Sequence, residues 1–80
     1  MIVIEAIVNI TLMKSADAKS TLANIRAVNK VDWAWLAFGI YDVVAHVVAT
    51  DQIELQNIIF HISKISGVDR TVTQVAFVEN

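Results

Sequence analysis

Residues 39–55 read GIYDVVAHVVATDQIEL, and this stretch decides the fold. It opens with Gly39 and Asp42, a residue with backbone freedom and an acid able to bond nearby N–H groups, which is turn chemistry. Val43 to Thr50 follow, apolar on nearly both faces, as in a strand at the middle of a sheet. The period changes after Asp51. Its side chain caps a helix, Glu54 stands three positions on in a capping-box-like arrangement, and Leu55, Ile58, Ile62 and Ile65 recur as a buried stripe. Gly67 stands where a left-handed helix end is expected.

Upstream of the turn, Val31 to Phe38 read as the antiparallel partner of that central strand, with Trp33 and Trp35 on one face and Leu36 and Phe38 on the other. Before it, Ser15 to Val28 carry the helical period. Ala18, Leu22 and Ile25 share a face, and either Ser15 or Asp17 caps the start. Residues 2–12 are rich in β-branched types, with Ile4, Ala6, Val8, Ile10 and Leu12 on one parity and Glu5, Asn9 and Thr11 on the other. That alternation predicts a strand with one fully apolar face. Val68 to Val78 form a fourth strand. The order β-α-β-β-α-β predicts an α+β, ferredoxin-like sandwich: a four-stranded antiparallel sheet with two helices on one face.

A chain of 80 residues is one domain, spanning 1–80. Surface scaling gives about 4,800 Å² of accessible area for the folded chain, with roughly three-fifths of the extended surface buried. Yet 56% of the residues are hydrophobic and 18% charged, against about 45–50% and about 25% in an ordinary domain. So small an interior cannot take them all. The sheet face away from the helices is expected to be bare and apolar, and dimerisation through the sheet is the simplest cover. Strand parity alone does not say which row meets the partner.

The remaining totals exclude whole classes of function. With no Cys there is no disulfide framework, thiolate zinc site or cysteine nucleophile, which fits a cytoplasmic location. A net charge of −2, with Lys14, Lys19, Arg26, Lys30, Lys64 and Arg70 scattered, leaves no basic stripe for direct nucleic-acid binding. The first residues lack the basic start of a secretory signal, and no apolar run reaches the length of a membrane span.

At Gly39-Ile40-Tyr41-Asp42, and at Ile65-Ser66-Gly67-Val68-Asp69-Arg70-Thr71-Val72-Thr73, the sequence resembles the effector-binding (RAM) domain of the prokaryotic Lrp/AsnC transcriptional regulators. The family pattern is a strand ending in Gly-x-x-Asp, an apolar strand, a helix, then Pro-Gly-Val and a Thr-x-Thr strand. The likeness runs from Ile2 to Phe77, with Ser66 in place of the usual Pro. Full regulators of the family carry an N-terminal helix-turn-helix, so the chain resembles a stand-alone RAM domain. The resemblance implies dimers assembled into rings, an amino acid effector held between dimers, and mixed assembly with full-length Lrp/AsnC regulators. Carried over by position, it nominates Gly39, Tyr41, Asp42, Thr71 and Thr73 as ligand-binding residues. The residues themselves allow a plainer alternative, a structural turn at Gly39–Asp42 and two β-formers at Thr71 and Thr73.

No spacing pairs His46 and His61 as metal ligands, and neither a metal nor a cofactor is expected. His46 lies in the apolar third strand and reads as a partnered interior or interface histidine; His61 reads as solvated. Trp33 and Trp35 read as sheet or interface packing. Ile53 and Phe60 form a second apolar edge on the second helix, suited to contact between dimers. Two classes of function remain: a non-catalytic amino-acid-binding and oligomerisation module, which is preferred, and a small dimeric α/β-barrel enzyme of monooxygenase-like or stress-response type. Fold alone does not choose; the enzyme would need a catalytic His or carboxylate pointing into a pocket, and His46 is the candidate on a strand.

Overall fold

In the computed structural model, which describes residues 2–79 and the side-chain surroundings of residues 3–76, six elements follow the expected order. They are β1 (Ile2–Leu12), α1 (Ala18–Arg26), β2 (Val31–Leu36), β3 (Val43–Ala49), α2 (Gln52–Ser63) and β4 (Val68–Glu79). Met1 and Asn80, the ends of the expected 1–80 unit, lie outside the described residues. The sheet order is β2-β3-β1-β4 and every neighbouring pair is antiparallel. β3, the strand apolar on nearly both faces, is therefore central beside β1, and both strands are paired along both edges.

Parity sets the core. Ile4, Ala6, Val8 and Ile10 of β1 pair with Ala49, Val47, Ala45 and Val43 of β3, and all of them are buried. Each of the three small alanines stands beside a branched residue. Leu22 and Ile25 of α1, Leu55, Ile58 and Ile62 of α2, Ala34 of β2 and Val68 of β4 complete the cluster. Burying a side chain of this type contributes about 1.5–3 kcal/mol.

The helix ends show how local chemistry trims the expected ranges. Asp17, not Ser15, caps α1, accepting from the N–H groups of Lys19 (3.1 Å) and Ser20 (3.5 Å). Ala18 is exposed, and the buried stripe runs through Thr21, Leu22 and Ile25. At α2, Asp51 Oδ1 accepts from Glu54 N (2.7 Å), while Glu54 reaches back to Thr50 N (2.9 Å), one residue before the cap. Gly67 has φ +99° but lies three residues beyond the Lys64 cap, in the turn into β4. A Cβ there would stand 2.6 Å from Thr21 Oγ1, so Gly67 is needed for conformation and for space.

β2 stops at Leu36 rather than Phe38, because residues beyond it turn away toward Gly39 (φ +125°) and leave Phe38 wholly exposed. The sheet face away from the helices carries Val3, Ile7, Val44, Val48 and Trp33, all only half-buried. The chain exposes 5247 Å², above the roughly 4,800 Å² typical of its mass, in keeping with a sheet covered on one side. That open face is not uniformly apolar, as composition had suggested. At its centre His46 lies between Glu5 and Asp32.

Candidate functional site

The β2–β3 turn is stitched to the end of β1. Ala37 N donates to the Asp42 carbonyl (2.8 Å) and Asp42 N to the Ile10 carbonyl (2.9 Å). The Asp42 carboxylate then accepts from Leu12 N through Oδ2 (2.8 Å). β3 begins at Val43, opposite Ile10, so Leu12 has no strand residue to bond on that side and the side chain of Asp42 takes its place. The β1–β4 register shifts at the same point, between Thr11 and Leu12. Asp42 therefore has a structural duty that uses one oxygen and leaves Oδ1 free of it. At Gly39 a Cβ would meet nothing within 4 Å. The glycine is required by its positive φ rather than by a close approach within the chain.

Beside this turn lies a cleft of about 550 Å³ lined by Leu12, Met13, Lys14, Ala16, Ala18, Leu36, Ala37, Phe38 and Asp42. Its size falls within the range of small-molecule sites. The lining is apolar apart from one carboxylate, Asp42, and one ammonium, Lys14. An acid and a base set among aliphatic and aromatic walls complement a zwitterion with an apolar tail.

The other nominated residues lie elsewhere. Tyr41 lines a smaller recess of about 220 Å³ with Thr11, Ile40, Arg70 and Val72. Thr71 pairs with Ile10 and Thr73 with Val8, on the helix-facing parity of β4. Thr73 lines a groove between α2 and β4 with Gln52, Leu55, Gln56, Ile59 and Val75. Tyr41 meets Arg70 and Val72 on one parity of β4 while Thr71 and Thr73 lie on the other, so one chain does not gather the turn and the two threonines around one space. Ile53 and Phe60 are 72% and 55% exposed, as a contact edge on α2 requires, and Lys64 Nζ sits 5.1 Å from the centre of the Phe60 ring. Sequence reading missed Lys14, Met13, Leu36 and Phe38 as cleft residues. Antiparallel β1–β3 pairing is the signal that could have found them, since it places the loop after Leu12 beside the turn before Val43.

Among the described residues no group of three or more His, Asp or Glu is arranged to hold a metal ion. No described helix is long and apolar enough to cross a membrane.

Residues 5–79 match the family model of the Lrp/AsnC ligand binding domain. Among solved structures, the chain is similar to AsnC of E. coli, with 23% identity and a TM-score of 0.84, over 96% of this chain and 52% of that one. It is also similar to TTHA0845 of Thermus thermophilus, with 29% identity and a TM-score of 0.85, over 96% of both chains. A third likeness is to the transcriptional regulator NMB0573 of Neisseria meningitidis, solved as a complex with L-Met, with 20% identity and a TM-score of 0.76, over 96% of this chain and 50% of that one. The chain thus spans about half the length of the E. coli and Neisseria proteins and nearly all of the Thermus protein. No curated protein sequence matches it.

Proposed function

Because the chain belongs to the Lrp/AsnC ligand-binding-domain family, we propose that it is a non-catalytic binding module for an amino acid with an apolar side chain. The carrying observation is the cleft in which Asp42 and Lys14 are the charged groups of an otherwise apolar lining. In this reading Oδ1 of Asp42 takes the ligand ammonium, Lys14 takes its carboxylate, and Met13, Leu36 and Phe38 hold the side chain. Support comes from NMB0573, whose solved complex contains L-Met. Gly39 gives the turn its shape, while Tyr41, Thr71 and Thr73 join the site from neighbouring copies.

The assembly that brings copies together begins with a dimer through the open sheet face. The two longer dimensions of the chain, 42 and 22 Å, leave room for the roughly 800 Å² per partner that a stable interface buries. Ile53 and Phe60 then join dimers into a ring. Regulation of transcription follows through mixed assembly with full-length family members, which supply the DNA-reading helix-turn-helix. The enzymatic alternative rests on His46, which is engaged by two carboxylates on the open sheet face and lines none of the clefts described above.

Calorimetric titration with the twenty amino acids tests the binding reading, and Asp42→Asn sharpens it. The asparagine carbonyl can still accept from Leu12 N, so the turn survives while the charge is lost. Removing one partner of a desolvated charge pair costs about 2–5 kcal/mol, so apolar amino acids should bind the variant well over tenfold more weakly. Equal affinities would remove Asp42 from the site. Failure of all twenty to bind the wild-type chain would overturn the reading.

A further inference from the structure

The sheet has two outer edges, and the chain treats them differently. Asp42 N donates to the Ile10 carbonyl and Met13 N to the Gly67 carbonyl, so even-numbered residues of β1 turn their backbone groups toward β3 and odd-numbered ones toward β4. Across from Thr11, Asn9, Ile7 and Glu5 stand Arg70, Val72, Gln74 and Ala76, whose N–H and C=O groups are spent within the sheet. The alternate residues of β4, Thr71, Thr73 and Val75, point theirs outward, where the order β2-β3-β1-β4 places no further strand.

The β2 edge is blunted. Val48 N donates to the Lys30 carbonyl, and Trp33 and Trp35 stand across from His46 and Val44, so Asp32, Ala34 and Leu36 face outward. The Ala34 carbonyl accepts from Arg26 Nε at 2.9 Å, and that guanidinium lies 5.2 Å from the centre of the Trp35 ring. The strand is six residues long, carries a charge at Asp32 and shifts register between Val31 and Trp33. These are features by which sheets discourage edge pairing. β4 is built the other way. Its register with β1 is unbroken from Arg70 to Glu79, no charged residue or proline falls between Thr71 and Val78, and Val72 and Val75 are 44% and 47% exposed.

We infer that the outer edge of β4 pairs antiparallel with β4 of a second copy and so joins one sheet-face dimer to the next. This rests on the ring proposed above and names the contact that closes it. An edge row of backbone donors and acceptors is completed by another strand, and a two-fold axis lets the same strand of a second copy complete it. Charge selects the register. A centre at Gln74 sets Asp69 across from a second acid, Glu79, whereas a centre at Thr73 sets Asp69 across from Phe77, Arg70 across from Ala76 and Thr71 across from Val75. In that register the outward row meets only its own kind. It also brings together the two copies of the groove that Thr73 and Val75 line with Gln52, Gln56 and Ile59. Ile53 and Phe60 each stand one position beyond a groove residue on α2. A sheet-face dimer presents two β4 edges, so the contact is made twice per dimer and gains from ring closure; between two monomers it is made once, without that gain.

Sedimentation equilibrium and residue-resolved amide hydrogen exchange of the full chain, over concentrations that span the dimer and the larger assembly, are the test. In the larger assembly the amides of Thr71, Thr73 and Val75 should exchange at least about tenfold more slowly than in the dimer, while those of Val72 and Gln74, already bonded to β1, should not change. Thr73→Pro removes an outward N–H and no bond to β1, which is where a sheet tolerates proline. It should keep the wild-type circular dichroism and stop at the dimer. A larger assembly whose Thr71, Thr73 and Val75 amides exchange as fast as in the dimer, or a folded Thr73→Pro that still forms it, overturns the edge contact and leaves the ring standing. If Thr73→Pro does not fold, exchange in the wild-type chain decides alone. A wild-type chain that never exceeds the dimer overturns the ring, and the edge contact with it.

Discussion

The two faces of the sheet are built from the same strands, yet one is finished by the chain and the other is not. On the helix side, Ile4, Ala6, Val8, Ile10, Val43, Ala45, Val47 and Ala49 are all buried beneath α1 and α2. One residue over along each strand, Val3, Ile7, Val44 and Val48 remain half-exposed around the His46 cluster. On the helix side of the two central strands the row is apolar and makes a one-chain core; the open side mixes apolar rows with the Glu5–His46–Asp32 cluster. The difference teaches that apolar content alone does not mark a core. What marks it is whether the same chain has a second layer to lay over it.

Adjacent residues on β3 give the sharpest way to break this contrast. Val47→Asp places a charge with no partner in the helix-side core, and the expected cost exceeds several kcal/mol, a large share of the total stability of about 5–15 kcal/mol. The variant should lack cooperative unfolding by circular dichroism. Val48→Asp, one position on and pairing across from Glu5, should keep a native spectrum while sedimenting as a monomer. If both variants unfold, or if Val48→Asp remains oligomeric, the two faces are not different in the way described.

The two glycines extend the comparison to the loops. Gly67→Ala combines a positive φ with the 2.6 Å approach to Thr21 Oγ1 under α1, and should lose about 2–3 kcal/mol in urea unfolding. Adding Thr21→Ala should recover the steric part. Gly39→Ala meets no neighbour and should lose only the backbone part, about 1–2 kcal/mol. Equal losses would show that the helix side is looser than its geometry implies.

The smallest effect is expected at Lys30, whose φ of 78° sits in the left-handed region. Asparagine tolerates that conformation better, so Lys30→Asn should stabilise the chain by up to about 1 kcal/mol. Because this turn belongs to neither face, the oligomeric state should not change.

Much of the architecture was legible in residue order. The period-2 row in residues 2–12, the apolar run of 43–50, the period-3.6 stripes through Leu22–Ile25 and Leu55–Ile62, Asp51 as a cap and Asp17 as one of two cap candidates each rest on interactions within a few residues, which local pattern reports directly. The end of β2 was less legible. Phe38 looks like a strand residue by type, but the turn geometry set by Gly39 and Asp42 sends it outward. The candidate site was legible only at its turn. Lys14 and Asp42 are 28 positions apart in the chain, and only β1–β3 pairing makes them line one cleft.

The sequence by itself determined the element order, the apolar parity of the first strand and the surplus of apolar side chains, because each is a property of neighbours along the chain or of composition. Tertiary structure alone decided which residues meet across strands. Asp42 bonds Leu12 N over a separation of 30 residues, and Glu5 meets His46 over 41. No local pattern records those partners, since register sets them, and register emerges only when the helix-side rows of the central strands β1 and β3 are buried together.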